Sequence, residues 1–199
     1  EPAILMNRPG QSPETLRVYR PMGKASIWEQ ATLLQSAARI RPRVLLWECM
    51  ALRDEYVDQL QSEWTRDDLA TITNAYPDHE DVQGPGATDV ARVISRFIPQ
   101  EAPILTTEVE MLPILRDEAK EKRALLRAVD KSRIQSIGQD ILDRLPHDEH
   151  PDNLALVAAL TGELGIDTEE ALILMGDHVV SDLGSLATSD PVRHMGRSI

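Results

Sequence analysis

The run Thr71-Ile72-Thr73-Asn74-Ala75-Tyr76-Pro77-Asp78-His79-Glu80-Asp81 sets an apolar, β-prone segment directly before an amide, an imidazole and several carboxylates. Such donors pack poorly, but they suit a hard divalent cation or the phosphates of a nucleotide. In α/β proteins, ligands collect outside the carboxyl ends of parallel strands, where the loops converge. A second apolar run, Val44-Leu45-Leu46-Trp47-Glu48-Cys49-Met50, also reaches an acid, Glu48, where a strand should give way to a loop. A carboxylate at the end of a strand covered on both faces is costly to desolvate unless it is paired, hydrogen-bonded or bound to metal. Glu48 and His79, at neighbouring strand ends, therefore form a candidate divalent-cation site. The plainer alternatives are a polar turn in which His79 hydrogen-bonds to Asp81, and an ion pair of Glu48 with Arg41 or Arg43.

The elements that must position these groups alternate between strands and helices. Residues 7–26, rich in Pro, Gly, Arg and Ser, read as a loop. Ser26 and Glu29 form a capping box for a helix whose apolar stripe is Ile27, Ala31, Leu34, Ala37 and Ala38. A strand at 44–50, a polar helix at 54–64 and a strand at 69–73 make a unit suited to a parallel sheet. Gly84-Pro85-Gly86 is a turn, and Thr88 opens a helix with Val90, Val93, Ile94, Phe97 and Ile98 at helical spacing. A strand at 104–107 ended by Glu108, a helix at 111–124 and a strand at 125–129 follow. The repetition predicts an α/β fold, a three-layer, mostly parallel, doubly wound sheet. Residues 134–145 read either as an amphipathic helix or as an excursion before the acidic loop His147-Asp148-Glu149-His150-Pro151-Asp152. Asp152 is expected to cap a helix carrying Leu154, Val157, Leu160 and Leu164, and Asp167 with Glu170 to cap another at 171–175. Residues 1–26 are thus a lead-in, 27–180 a partial central domain, and 181–199 a linker or the start of a further domain.

Composition narrows the function classes. The chain has 199 residues and a net charge of −12, with no long basic tract, which argues against nucleic acid as the main partner. Cys49 is the sole cysteine, so no internal disulfide forms, as suits a reducing cytoplasm. It reads as a small core residue rather than a nucleophile. No apolar run approaches the roughly 18 residues of a membrane span, and no secretory signal is visible. The opening Glu1-Pro2-Ala3-Ile4-Leu5 lacks an initiator Met and reads as the interior of a longer protein.

With these elements placed, the sequence resembles the central, ATP-binding domain of the Mur ligase superfamily, and within it the poly-γ-glutamate synthase branch. The resemblance covers most of residues 20–180. It is carried by Glu29-Gln30 followed by Glu48-Cys49-Met50-Ala51, and by Thr73-Asn74 followed by Asp78-His79-Glu80-Asp81 and Val82-Gln83-Gly84-Pro85. Ile98-Pro99 leading to residues 104–108, and Asn153 before an Ala-rich helix ending in Leu164-Gly165-Ile166-Asp167, add to it.

The resemblance implies an ATP-dependent carboxylate–amine ligase. A carboxylate attacks the γ-phosphorus of ATP to give an acyl phosphate, and an incoming amine displaces phosphate. In this branch the product is γ-linked glutamate, so glutamate or a poly-γ-glutamate acceptor is the implied substrate, with ATP and Mg2+ as cofactors. By the same resemblance Glu48 binds one Mg2+, directly or through water, and His79 binds a second ion. Asn74 holds the loop near the phosphates and Asn153 lies against adenine. The plainer alternatives make Asn74 a turn residue and Asn153 a first-turn helix residue, and His150 reads as an exposed loop histidine.

A cytoplasmic location fits, with membrane association through other segments or a membrane partner subunit, and a homo-oligomer is compatible. Three departures stand out. No Gly-rich loop ending in Gly-Lys-Thr/Ser is found; Met22-Gly23-Lys24-Ala25-Ser26 has Val18 in place of the first Gly and Ala25 in place of the hydroxyl residue. The segment 90–98 offers Arg92 and Arg96 where many members carry a carbamylated Lys. The amine-presenting carboxy-terminal domain is at most begun near residues 190–199. The expectation is that this stretch alone does not turn over ATP. The rival readings are a non-catalytic, ligase-derived interaction module in a membrane-associated synthase complex, and a P-loop kinase.

Overall fold

The computed structural model describes residues 3–6, 12, 14–17, 20, 23, 26–130, 132, 138–179, 193–194 and 197–198. Strands β1 (Ala3–Met6) and β2 (Glu14–Arg17) pair antiparallel, so part of the stretch read as loop is a strand. Helix α1 (Ile27–Ile40) starts where the capping box places it. Ser26 Oγ accepts from the Trp28 amide at 3.4 Å and the Glu29 carboxylate accepts from the Ser26 amide at 3.3 Å. Arg20 holds the same carboxylate with two bonds of 2.7 Å, which draws the Glu29 acid below its usual range. Ser26→Ala removes one of these amide partners and is expected to cost about 1 kcal/mol in a urea titration.

The strand expected at 44–50 does not form. Residues 43–50 have no ladder partner; Trp47, Cys49 and Ala51 turn toward a small apolar cluster, whereas Val44, Leu46 and Met50 are 65%, 83% and 66% exposed. Side chains take over the contacts a neighbouring strand would make: Gln30 Nε2 donates to the Glu48 carbonyl at 2.7 Å, and the Trp47 indole donates to Asp67 Oδ1 at 3.0 Å. Helix α2 (Asp54–Gln59) continues into a π-helical turn, Leu60–Thr65, that Arg66 closes in a left-handed conformation. The turn carries Gln61 inward, where its amide is satisfied by Asp67 and the Phe97 carbonyl.

Three parallel strands then run in chain order: β3 (Ala70–Ile72), β4 (Pro103–Thr106) and β5 (Leu125–Ala128). Between them come α3 (Glu80–Gln83), α4 (Ala87–Ser95) and α5 (Leu112–Glu121). Because the order never reverses, the described sheet has no switch point of the kind that defines a doubly wound fold. The architecture is α/β with this small sheet at its centre. Ala70, Ile72 and Ile104 bury one face against Ile98, Leu115 and Ala119. Leu105 points the other way along β4 and is also buried, and α7 (Pro151–Glu163) packs against that strand.

Residues 134–137 of the 134–145 segment lie outside the described residues; α6 (Gly138–Leu142) forms the rest of its helical part. Helices α6, α7 and α8 (Thr168–His178) meet around Ile141, Leu154 and Leu172. The cap of α7 is His150 rather than Asp152: Pro151 takes the first helical position, and His150 Nδ1 accepts from the Asp152 amide at 3.3 Å. Asp167 caps α8 through the Glu170 amide, as expected. Most of 181–199 lies outside the described residues; within it β6 (Arg193–His194) and β7 (Arg197–Ser198) pair antiparallel. Among the described residues no helix is long and apolar enough to cross a membrane.

Candidate functional site

The carboxyl ends of β3 and β4 lie side by side, and two side chains latch their loops together. Thr107 Oγ1 donates to the Thr73 carbonyl at 2.8 Å. Glu108, a buried carboxylate, accepts from the Ala75 amide at 2.6 Å through one oxygen, and from the Val109 and Met111 amides at 2.9 and 3.0 Å through the other. Asn74 sits between these anchors with its side chain exposed, and its Oδ1 accepts from the Tyr76 amide at 3.2 Å to make a local turn. Sequence reading placed Glu108 only as a strand terminator. Its signal was an acid straight after a β-branched strand end, but three backbone partners spread along the chain cannot be read from spacing.

A cleft of about 1020 Å3 opens between the edge of β3 and residues 42–49. Glu48, Thr73, Asn74 and Gln83 line it together, so the structure brings two of the expected site residues to one space. Glu48 also lines a second groove, between α1 and the segment after it. No ion pair joins its carboxylate to Arg41 or Arg43 among the described residues. Burial pushes the neighbouring Cys49 thiol up, in keeping with a packing role.

His79 does not line either cleft. It starts α3 in a left-handed conformation (φ 50°), its amide donates to Asp78 Oδ1 at 2.8 Å, and its half-exposed ring lies 3.6 Å from Asp78 Oδ2 rather than against Asp81. The helix it opens reaches the clefts through Val82 and Gln83. Asn153 stands apart. Helix α7 presents Leu160 and Leu164 to the cleft, and Asn153 lies at its other end, about 10 Å from Leu160 at 1.5 Å per residue. There its amide donates to Glu149 Oε1 at 2.7 Å. Burial raises the Glu149 acid, but the bonds from Asn153, the His150 amide and His147 outweigh it, and the net shift is downward.

Of the imitation phosphate loop, Met22, Lys24 and Ala25 lie outside the described residues. Gly23 is in a left-handed turn that its amide closes onto the Arg20 carbonyl at 3.0 Å. Arg92 pairs with Asp89 on the surface, and Arg96 pairs with the largely covered Glu118. Among the described residues no three His, Cys, Asp or Glu side chains converge. A fit to Mg2+ therefore rests on few protein oxygens, which suits an ion that keeps several of its waters. Glu48 would supply one; its backbone carbonyl accepts from Gln30 Nε2, and among the described residues the buried Gln30 Oε1 has no hydrogen-bond partner.

The fold and site define an α/β chain with oxygen donors gathered at the ends of a small parallel sheet. Comparison with known proteins is more specific. The chain is 32% identical over 146 residues, 73% of its length, to a capsule biosynthesis protein, CapB, of Bacillus anthracis. It is 27% identical over 160 residues, 80% of its length, to a PGA synthase, CapB, of Bacillus subtilis (strain 168). These identities support a relation to the CapB-like poly-glutamate synthases, the branch that the sequence motifs resemble. The aligned stretches make up 31% and 40% of those two relatives' lengths. No protein-family profile and no solved structure matches the chain.

Proposed function

We propose that the chain is the metal- and nucleotide-handling part of an ATP-dependent carboxylate–amine ligase that makes γ-linked glutamate polymer. The observation that carries the reading is the 32% identity to a capsule biosynthesis protein across 73% of the chain. In this reading Glu48 holds Mg2+ in the cleft, His79 holds a second ion from the start of α3, Asn74 fixes the loop near the phosphates and Asn153 receives adenine. The ions, when bound, neutralise the charge that develops on the transferring phosphoryl group. The chain's own work is positional. Glu108 and Thr107 hold the Asn74 loop to β4, and Glu149 holds the Asn153 amide in one orientation. The substrate carboxylate becomes an acyl phosphate and the amine of glutamate, or of a poly-γ-glutamate chain, displaces phosphate from it. A membrane partner subunit and self-association belong to the same proposal.

Equilibrium dialysis of the purified chain against ATP tests this. Binding is expected to require Mg2+, and His79→Ala is expected to weaken it about tenfold, about 1.4 kcal/mol, with the circular dichroism unchanged. Binding that ignores Mg2+ or that His79→Ala leaves intact would count against the site. The reading also expects no ADP release from this chain alone, and its appearance would overturn that part.

A further inference from the structure

We propose that Arg39, Arg41 and Arg43 are a docking patch for the poly-γ-glutamate acceptor, holding its α-carboxylates at the mouth of the cleft beside Glu48; this rests on the polymer reading given above. Between Glu29 and Glu48 the chain carries no Asp or Glu, although it holds 33 acids and a net charge of −12. That acid-free stretch contains Arg39-Ile40-Arg41-Pro42-Arg43. All three arginines are exposed, and none has an ion-pair partner or a side-chain hydrogen bond among the described residues. Elsewhere many arginines are engaged: Arg20 with Glu29, Arg92 with Asp89, Arg96 with Glu118 and Arg127 with Glu163.

Local structure accounts for only part of this cluster. Arg39 lies in the last turn of α1, where the helix dipole favours a cation, but that field fades within the turn and gives no reason for Arg43. Pro42 and Arg43 line the cleft that Glu48, Thr73 and Asn74 also line. Arg39 and Arg41 precede that wall in the chain and stand outside it, so the patch runs from the surface to the cleft. The acids of the cleft are Glu48, Asp67 and Asp68, and none pairs with Arg43 among the described residues. Asp67 is occupied by the Trp47 indole and the Gln61 amide. Charge then selects the partner. A γ-linkage leaves one α-carboxylate free on every residue, so the polymer is an anion along its whole length, and most of this acidic chain repels it. A guanidinium fork matches a carboxylate, and an unengaged arginine breaks no internal pair to reach one. Three exposed arginines give a weak, salt-sensitive grip. That suits a polymer that must advance after each addition, and it is too few contacts to hold nucleic acid.

The experiment follows the anisotropy of fluorescently labelled poly-γ-glutamate as the full chain is added, with circular dichroism as a folding control. The triple change Arg39→Gln, Arg41→Gln and Arg43→Gln is expected to weaken binding about tenfold and to flatten its salt dependence. A matched triple on and just after α5, Arg116→Gln, Lys120→Gln and Arg123→Gln, removes the same charge elsewhere and is expected to change binding less than about twofold. Equal losses in the two triples would make the effect one of net charge, and the inference fails; an unaffected first triple sinks it too. Phosphatidylglycerol vesicles that displace the polymer, and that bind the first triple more weakly, would assign the patch to a membrane surface and overturn it. Equilibrium dialysis against ATP separates the two levels. A chain that binds ATP with Mg2+ but no polymer overturns only this inference. Polymer binding that the first triple loses, without Mg2+-dependent ATP binding, supports the patch and overturns the nucleotide part of the parent reading. A chain that binds neither overturns both.

Discussion

Glu108→Ala is expected to lower the free energy of unfolding by about 3–4 kcal/mol, the largest effect of any change near the strand ends. The carboxylate is buried and satisfies the amides of Ala75, Val109 and Met111. Alanine leaves all three without a partner, and each unsatisfied buried group costs about 1–3 kcal/mol. Val109 is exposed, so water recovers part of its loss, and the sum falls below the simple total. The Glu108 amide keeps its bond to Thr106 Oγ1, which confines the damage to the carboxylate's partners. For a chain of this size such a loss lowers the melting temperature by about 10 °C. Glu108→Gln retains one acceptor oxygen and is expected to lose roughly half as much. Amide exchange adds a local readout: the Ala75 amide should exchange much faster in the alanine variant, because it is the contact that ties the Asn74 loop to β4. A change under about 1 kcal/mol would mean that Thr107 and the ladder hold the loop without Glu108.

The elements that local chemistry alone defines were legible. Ser26 with Glu29, Gly84-Pro85-Gly86 and Asp167 with Glu170 each settle a boundary within a few residues, and the structure places helices after all three. Short apolar, β-prone runs also located β3, β4 and β5. What failed was the run at 44–50. An apolar segment reads as a buried strand only if a neighbouring edge is free to pair with it, and pairing is a tertiary property that periodicity does not carry. Here one side of the segment packs through Trp47 and Cys49, and the Gln30 amide takes the Glu48 carbonyl. The doubly wound expectation came from the repetition of strand–helix units, which supports the α/β class but does not fix the order of the strands. At the site, spacing marked Glu48 and Asn74 as strand-end groups, and the structure brings them to one cleft. It did not disclose that Asp78 would take both the amide and the ring side of His79, because a left-handed residue before a helix turns its side chain in a way no repeat predicts. Gln30 entered the sequence reading only as half of the Glu29-Gln30 pair, with no contact assigned, because a glutamine on an amphipathic helix looks like surface until a contact 18 residues away fixes it.

Gly84→Ala is expected to cost about 3 kcal/mol and to displace the helix that His79 begins. Gly84 ends α3 at φ 110° and ψ 162°, a backbone region that side-chain-bearing residues rarely adopt. A Cβ there would stand 2.7 Å from Asp89 Cβ and 3.1 Å from Asp89 Cγ. Asp89 Cβ sits one bond from the backbone of α4, so it cannot swing aside as the end of a long side chain could. Relief requires a shift of α4 or a new conformation at residue 84. The first disturbs Val90 and Ala91, which are buried, and the second breaks the bond from the Gly84 amide to the Glu80 carbonyl at 3.1 Å. Either route moves α3, and with it Val82 and Gln83 at the two clefts and His79 at its start. The variant should therefore lose stability and weaken Mg2+-dependent ATP binding together. Gly86→Ala is the matched control. Gly86 has an extended backbone at φ −167° and open space where a Cβ would go, so its loss should be confined to the poorer N-cap, about 0.5–1 kcal/mol. Urea titrations of the two variants side by side separate the causes: equal losses would mean that any side chain in this turn is harmful, whereas a loss confined to Gly84→Ala assigns the effect to the left-handed geometry and the Asp89 contact.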